Sequence, residues 1–294
     1  MNISQFFLQV LNGLNIGSIY ALVALGYTMV YGIAKLINFA HGEIIMVGSY
    51  TVFVCMTLLG LPVFVAVIIS IIVCALLGVI IEKVAYKPLR NSSRISLLIT
   101  AIGVSFLLQS LFQLIFTSNP KPFPTIINFP PLTIGDFSIT ANYYLTFVIS
   151  VILMIVLDRF VKLTKTGKAM RAVSEDQGAA QLMGININKT ISITFAIGSA
   201  LAAIAGILYS SSYPLINPFM GSTLGIKAFI AAVLGGIGII PGAVLGGFIL
   251  GLVESLTKAY ISSQLTDAIV FLILILVLVF KPAGILGKNR KEKV

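Results

Sequence analysis

The sequence predicts an all-α protein, a polytopic transmembrane helical bundle of about 8–9 membrane segments, some of them broken or re-entrant. The mean hydropathy is +1.08. Hydrophobic residues make up 58% of the chain and charged residues only 10%, whereas a soluble domain carries about 25% charged residues. Apolar runs near the ~20 residues that cross a bilayer recur throughout. We therefore expect a single transmembrane domain over residues 1–294.

Polar and proline-rich interruptions divide the chain into its apolar segments. Pro-rich residues 119–141 cannot be helical throughout, because proline removes a donor and fixes φ, so they are predicted to form an ordered outer loop. Cys55 and Cys74 lie within apolar runs, which gives no disulfide framework. The predicted segments are approximately Phe6–Ile33, Ile44–Leu59, Val63–Ile81, Ile95–Phe116, Asn142–Leu157, Thr190–Tyr209, two within Leu224–Tyr260 and Ala268–Phe280.

The cations predict the orientation of the bundle. Of the 19 Lys and Arg residues, four lie in Glu82–Arg94, six in Arg159–Lys189 and five in the tail that begins at Lys281. Even numbers of predicted segments separate these regions, so all of them fall on one side, and the positive-inside rule makes that side cytoplasmic. The N-terminus is then predicted outside and the C-terminus inside. The net charge of +10 is explained by these loops rather than by nucleic-acid binding.

The longest polar interval is a predicted cytoplasmic loop over residues 158–190, and its second half has the pattern of one short helix. Ser174 followed by Gln177 is a capping-box pattern. Glu175 and Asp176 then fall in the first turn, where the helix dipole favours negative charge. Gly184 is placed to end the helix in the left-handed conformation.

This short helix has a small apolar face, formed by Ala179, Leu182 and Met183 at positions i, i+3 and i+4. One interpretation is a docking helix for a soluble partner. The other is a solvated loop that contains a helical turn.

Two apolar stretches, Ile37–Phe53 and Leu234–Leu250, are interrupted by glycine. Interrupted segments in corresponding places of two halves are typical of a transporter pathway, although glycine also serves ordinary tight helix packing. Glu43 is the stronger indication, because a carboxylate in a membrane must be buried in the bundle, paired or facing water. The candidate pathway residues are Asn38, His41, Gly42, Glu43, Gly235 and Gly236.

Enzyme and metal signatures are absent from the sequence. The chain has a single His, His41, and apart from Glu43 no possible metal ligand lies near it in the sequence; the chain also contains no G-x-x-x-x-G-K-[ST], no G-x-S-x-G and no H-E-x-x-H. We therefore expect no catalytic residue, no metal site and no cofactor bound by this chain. If ATP powers transport, another polypeptide hydrolyses it.

Several stretches of the chain resemble one transporter family. Glu175–Asn186, followed by Thr194–Tyr209, resembles the cytoplasmic coupling region of ABC-importer permeases. Gly13–Tyr50, Val233–Glu254 and Phe280–Gly287 resemble the LivH-type permease of branched-chain amino acid importers. In the coupling motif Ala directly follows Glu, whereas here Asp176, Gln177 and Gly178 stand between Glu175 and Ala179.

The resemblance implies an inner-membrane importer of leucine, isoleucine and valine in a bacterium or archaeon. It implies a second homologous permease, two cytoplasmic ATPase subunits that use ATP, an extracytoplasmic substrate-binding protein and surrounding lipid as partners. Its coupling helix would comprise Ser174, Glu175, Asp176, Ala179, Ala180, Leu182, Met183 and Gly184. A permease for urea, amides or a sugar is the alternative within the superfamily, and an ion-coupled secondary transporter or channel is the alternative from another class.

Overall fold

The computed structural model describes residues 3–90, 92–134 and 137–287, and these residues form a helical bundle. Seven of its helices are long and apolar enough to cross a membrane, and α9 and α11 are shorter apolar helices. The predicted polytopic bundle is confirmed. The helices are α1 (Ile3–Ala34), α2 (His41–Phe53), α3 (Val63–Ile81), α4 (Arg94–Phe116), α5 (Ala141–Leu163), α6 (Lys165–Glu175), α7 (Gln177–Leu182), α8 (Ile187–Ser212), α9 (Met220–Gly235), α10 (Ile240–Tyr260) and α11 (Thr266–Phe280).

Short irregular elements complete the bundle. Strand β1 (Lys121–Pro122) pairs antiparallel with β4 (Leu215–Ile216), and β2 (Leu132–Ile134) pairs antiparallel with β3 (Phe137–Ile139). The proline-rich interval is thus non-helical, as predicted. Helix α2 continues into a π-helical turn at Val54–Leu58, and α3 continues into another at Glu82–Tyr86.

Helix α1 lies at the centre of the bundle and packs against α2, α5, α8, α9 and α10. In its most apolar stretch 89% of the residues are buried, compared with 17% for α4 at the periphery. A central helix needs small residues wherever a neighbouring backbone approaches closely. Small and polar residues of α1, such as Gly13, Asn15 and Gly17, therefore serve helix contact rather than lipid contact.

Glycines allow the backbones of α1 and α10 to touch. A Cβ atom on Gly251 would lie 2.4 Å from the Cα of Gly17, and one on Gly247 would lie 2.6 Å from the Cα of Ala21. Neither obstacle is a flexible side chain, so any larger residue forces the two helices apart. This contact fixes the separation of the two helices along their length.

The two ends of the bundle differ in charge. We call one of them the basic end: it comprises the end of α1, residues 82–90, α6, α7, the start of α8 and residues 281–287. Arg90 donates a hydrogen bond of 2.6 Å to Asn188 and so ties residues 82–90 to α8. The three basic regions of the sequence meet here, as far as the structure describes them; Lys288, Arg290, Lys291 and Lys293 lie outside the described residues. The opposite end carries the four strands.

The break between α9 and α10 is built into the basic end. The backbone N–H of Ile285 donates to the carbonyl of Leu234 at 2.8 Å, and that of Leu286 donates to the carbonyl of Gly235 at 3.1 Å. Gly236 and Gly238 have φ of 108° and 93°, which only glycine adopts readily. The residues after α11 therefore cap the α9–α10 turn.

Two predicted boundaries were wrong. The non-helical break near Glu43 covers Lys35–Ala40, so His41, Gly42 and Glu43 form the first turn of α2 instead of interrupting it. Helix α9 begins at Met220, four positions before the predicted segment. In both places glycine and polar residues were read as a break, although tertiary packing holds them in a helix.

We predict that Gly251→Ala destabilises the folded chain by roughly 1–3 kcal/mol, because the added methyl group meets the backbone of α1. Thermal unfolding of the purified protein in detergent measures the effect. Gly103→Ala on α4 is the matched control, since a Cβ there would have no neighbour within 4 Å among the described residues. Equal melting temperatures for the two variants would contradict the account of the α1–α10 contact.

Candidate functional site

The polar interval 158–190 contains two helices, and the first anchors the second to the bundle. Thr164 caps α6 by accepting a hydrogen bond from the N–H of Gly167 at 3.0 Å. Met170 and Val173, three residues apart, are 0% and 1% exposed, and α6 packs on α1, α5 and α8. The basic remainder of α6 stays in solvent. This helix is therefore a rigid base for α7.

The predicted cap of the short helix was wrong. Ser174 lies within α6 and donates back to the carbonyl of Arg171 at 2.7 Å, and Glu175 is the last residue of α6. The actual cap of α7 is Asp176, whose side chain accepts from the N–H of Ala179 at 3.0 Å. Asp176 competes well for this role because a carboxylate is favoured at a helix N-terminus. Gly184 ends the helix with φ 79°, as predicted.

Helix α7 presents its largest apolar side chains to solvent. Leu182 is 90% exposed and Met183 is 82% exposed. Ala179 is also exposed, whereas Ala180 is 3% exposed and packs against its own chain. The free face thus consists of Ala179, Leu182 and Met183, and Ala180 holds α7 in place.

A cavity of about 690 Å³ separates α7 from the loop that follows α3. Lys87 and Arg90 lie on one side of it, and Gln177 and Gln181 of α7 lie on the other. A second cavity, of about 470 Å³, lies between α6, the end of α1 and the α9–α10 turn. The basic end therefore has a polar surface with two cavities, from which the apolar side chains of Leu182 and Met183 protrude.

A buried carboxylate holds this surface to the bundle. Glu82, which is 0% exposed, forms an ion pair with Arg90 and accepts a hydrogen bond from Ser192 of α8 at 2.6 Å. Arg90 also bonds Asn188. The two terminal nitrogens of the guanidinium, Nη1 and Nη2, thus each have a partner. They fix the loop after α3 to the start of α8, beside α7.

The second candidate region surrounds Glu43, in the first turn of α2. Its Oε1 accepts hydrogen bonds from Ser105 of α4 at 3.0 Å and from Ser222 of α9 at 2.6 Å. Gln109 of α4 donates to the hydroxyl of Ser222 at 3.4 Å. The Oε2 atom of Glu43 is buried and has no hydrogen-bond partner in the part of the chain that the structure describes. Three helices therefore converge on one carboxylate.

The other predicted pathway residues do not join this cluster. Asn38 accepts a hydrogen bond from Tyr86 at 2.8 Å, which directs it toward the π-helical turn after α3. His41 stacks edge to face on Tyr27, with ring centroids 4.7 Å apart, and is 1% exposed. Gly42 lies against the backbone of α9, where a Cβ would meet the carbonyl oxygen of Gly221 at 2.5 Å.

Gly235 and Gly236 lie in a different place from Glu43. A Cβ on Gly235 would meet the carbonyl of Gly242, and one on Gly236 would meet the backbone N of Gly287 at 2.9 Å. Both therefore belong to the turn at the basic end. The two glycine-bearing interruptions are not brought together by the fold.

A fully paired charge cluster links α1, α9, α10 and α11. Glu254 accepts from Tyr20 at 2.6 Å and forms ion pairs with Lys227 at 3.0 Å and Lys258 at 2.5 Å. Lys227 also pairs with Asp267 at 2.9 Å. Two cations and two anions balance, so the cluster is a structural tie.

Sequence reasoning missed the serines and the glutamine around Glu43. Ser105 and Gln109 are four residues apart on α4 and share one helix face, which is a signal that the sequence does contain. Ser222 lies outside the predicted segments, which resume at Leu224, although the structure places it in α9. Only the tertiary structure shows that these side chains surround Glu43.

Comparison with known proteins places these features in context. The family described as "Branched-chain amino acid transport system / permease component" matches residues 9–278. The chain is 45% identical to the "High-affinity branched-chain amino acid transport system permease protein BraD" of Pseudomonas aeruginosa, covering 99% of both chains. It is 44% identical to the corresponding LivH of Escherichia coli, covering 98% of both.

A solved structure shares the fold. PsaBC from Streptococcus pneumoniae, in complex with Fab, superposes with a TM-score of 0.51 and 13% identity, over 94% of this chain and 95% of that one. At this identity the likeness concerns the arrangement of helices alone.

Proposed function

We propose that this chain, which belongs to the family of permease components of branched-chain amino acid transport systems, moves leucine, isoleucine and valine into the cytoplasm as the membrane subunit of an ATP-driven importer. The observation that carries the proposal is the near-full-length similarity to permeases whose names give that substrate class. A partial match would support only a transporter fold.

Two features of the structure support ATP-driven coupling. Helix α7 stands on a rigid base and exposes Leu182 and Met183, which no segment of the described chain covers. Burial of such side chains stabilises an association by roughly 1.5–3 kcal/mol each. We propose that a cytoplasmic ATPase subunit covers them, with its hydrolysed ATP as the energy source, and that this chain binds no cofactor itself.

The remaining partners complete the proposed importer. A second homologous permease would form the other half of the membrane unit, with an ATPase subunit under each half. A substrate-binding protein would deliver the amino acid at the end that carries the strands. Loop 158–190 would be the coupling loop of a single permease domain.

The proposed orientation places the basic end in the cytoplasm of a bacterial or archaeal cell, across its inner membrane. Lys83, Lys87, Lys168 and Arg171 are among the cations at this end, and cytoplasmic loops carry such an excess. The chain would then begin outside and end in the cytoplasm.

We expect the complete complex, purified through a tag on this chain and reconstituted in vesicles, to take up labelled leucine when ATP and binding protein are supplied on their proper sides. An excess of unlabelled isoleucine or valine should compete, and urea or a sugar should not. Uptake by this chain alone, driven by an ion gradient without ATPase subunits, would contradict the proposal.

The docking surface can be tested on α7. We predict that Leu182→Ser lowers retention of the ATPase subunits about tenfold, because the lost apolar contact is worth about 1.5 kcal/mol or more. Co-purification and ATP-driven uptake measure the effect. Leu59→Ser is the matched control, since Leu59 is 64% exposed at the end that carries the strands. Full retention by the Leu182 variant would show that α7 is not the docking element.

A further inference from the structure

Three glutamates are almost completely buried in the described part of the chain, and only Glu43 lacks a cation. Glu82 is paired with Arg90, and Glu254 is paired with Lys227. Glu43 is 0% exposed, and the ion pairs of the described residues do not include it. Since an uncompensated buried charge costs several kcal/mol, this carboxylate requires an explanation.

The surroundings of Glu43 stabilise a negative charge without neutralising it. The hydroxyls of Ser105 and Ser222 both donate to Oε1. Glu43 lies in the first turn of α2, and Ser222 lies in the first turn of α9. Each helix N-terminus contributes about half a positive charge. Glu82 and Glu254 are each paired with a cation. At Glu43, hydroxyl groups and helix dipoles take the place of that cation.

The second carboxylate oxygen is left free. Oε2 has no hydrogen-bond partner among the described residues. It lies beside Gly221, where a Cβ atom would approach it to 2.8 Å, so any larger residue would occupy the space next to it. A carboxylate with one bonded and one free oxygen is suited to an exchangeable cationic partner.

The side chains that bond or adjoin the other carboxylate oxygen are held by single side-chain hydrogen bonds. Ser105, Gln109 and Ser222 are each only partly buried. Gln109 bridges α4 to α9 through a 3.4 Å bond to Ser222, which is long for a hydrogen bond. A small shift of the peripheral α4 would therefore expose the carboxylate without disturbing the α1–α10 contact.

We propose that Glu43 is a transient binding site for the primary ammonium group of the amino acid during its passage through the membrane. This inference rests on the proposed function, whose substrates carry that group. A permanent cation would block such a site, and a complete cage of donors would slow release. One free oxygen, on a carboxylate whose other oxygen is bonded by two hydroxyls, gives a weak and reversible contact.

The uptake assay of the reconstituted complex provides the first test. Glu43→Gln keeps the shape and removes the charge, and we expect it to lower leucine uptake about tenfold, the effect of losing one charge-assisted contact, with an unchanged yield of assembled complex. Glu254→Gln is the control for a structural carboxylate, and it should reduce the assembled yield. Failure of the unaltered complex to take up leucine would refute the proposed function instead.

A chemical probe provides the second test and does not depend on uptake. Ser222→Cys, in a chain whose Cys55 and Cys74 are replaced by serine, places a thiol beside the carboxylate. We expect positively charged aminoethyl methanethiosulfonate to react about tenfold faster than its negatively charged sulfonatoethyl counterpart, after correction for their rates with a free thiol, because the site concentrates cations. The preference should vanish when Glu43→Gln is added, and leucine delivered by the binding protein should slow the reaction.

Three results would overturn the inference. The first is full uptake by the Glu43→Gln complex. The second is loss of assembled complex in that variant, which would assign Glu43 to a structural contact or to a cation of the second permease. The third is a thiol at position 222 of an assembled complex that reacts with neither reagent when ATP and binding protein are present, or with both equally, since either result excludes an accessible negative site.

Discussion

The close contact between α1 and α10 is the constraint on which the rest of the structure depends. Gly17 and Gly251 bring two backbones together where no side chain fits. This contact places the N-terminal half of the chain against the C-terminal half, and α8 and α9 pack on the same central helix. The basic regions, which are far apart in the sequence, are consequently gathered at one end.

The same packing leaves the buried carboxylate of Glu254 paired with cations and that of Glu43 without one. Once α1, α9 and α10 are fixed, Tyr20 and Lys227 are brought to Glu254, where Tyr20 donates a hydrogen bond and Lys227 compensates the charge. Helix α2 places Glu43 against α4 and α9. Among the described residues, only the hydroxyls of Ser105 and Ser222 donate hydrogen bonds to its carboxylate. The centre of the bundle is closely packed, whereas only 17% of the most apolar stretch of α4 is buried, and the proposed ammonium site depends on a shift of α4.

The sequence was sufficient to predict the class of fold and its charge asymmetry, because both follow from composition along the chain. It was insufficient for Ser174, since a capping box and an Asp cap two residues later are nearly equivalent locally, and packing of α6 decides between them. Likewise, Gly42 and Gly236 look alike as interruptions. One is a helix–helix contact and the other a turn with positive φ, and only tertiary structure distinguishes these uses of glycine.

The central claim is that the basic end faces the cytoplasm and carries the coupling surface, and labelling of single cysteines in intact cells tests it most directly. Ser92→Cys, two positions after residues 82–90 of the basic end, and Thr125→Cys, beside the strands, are both at exposed positions. Cys55 and Cys74 are replaced first. The account predicts that a membrane-impermeant thiol reagent labels position 125 in intact cells and labels position 92 only after the cells are opened. Labelling of position 92 in intact cells would contradict the orientation and the coupling role assigned to α7.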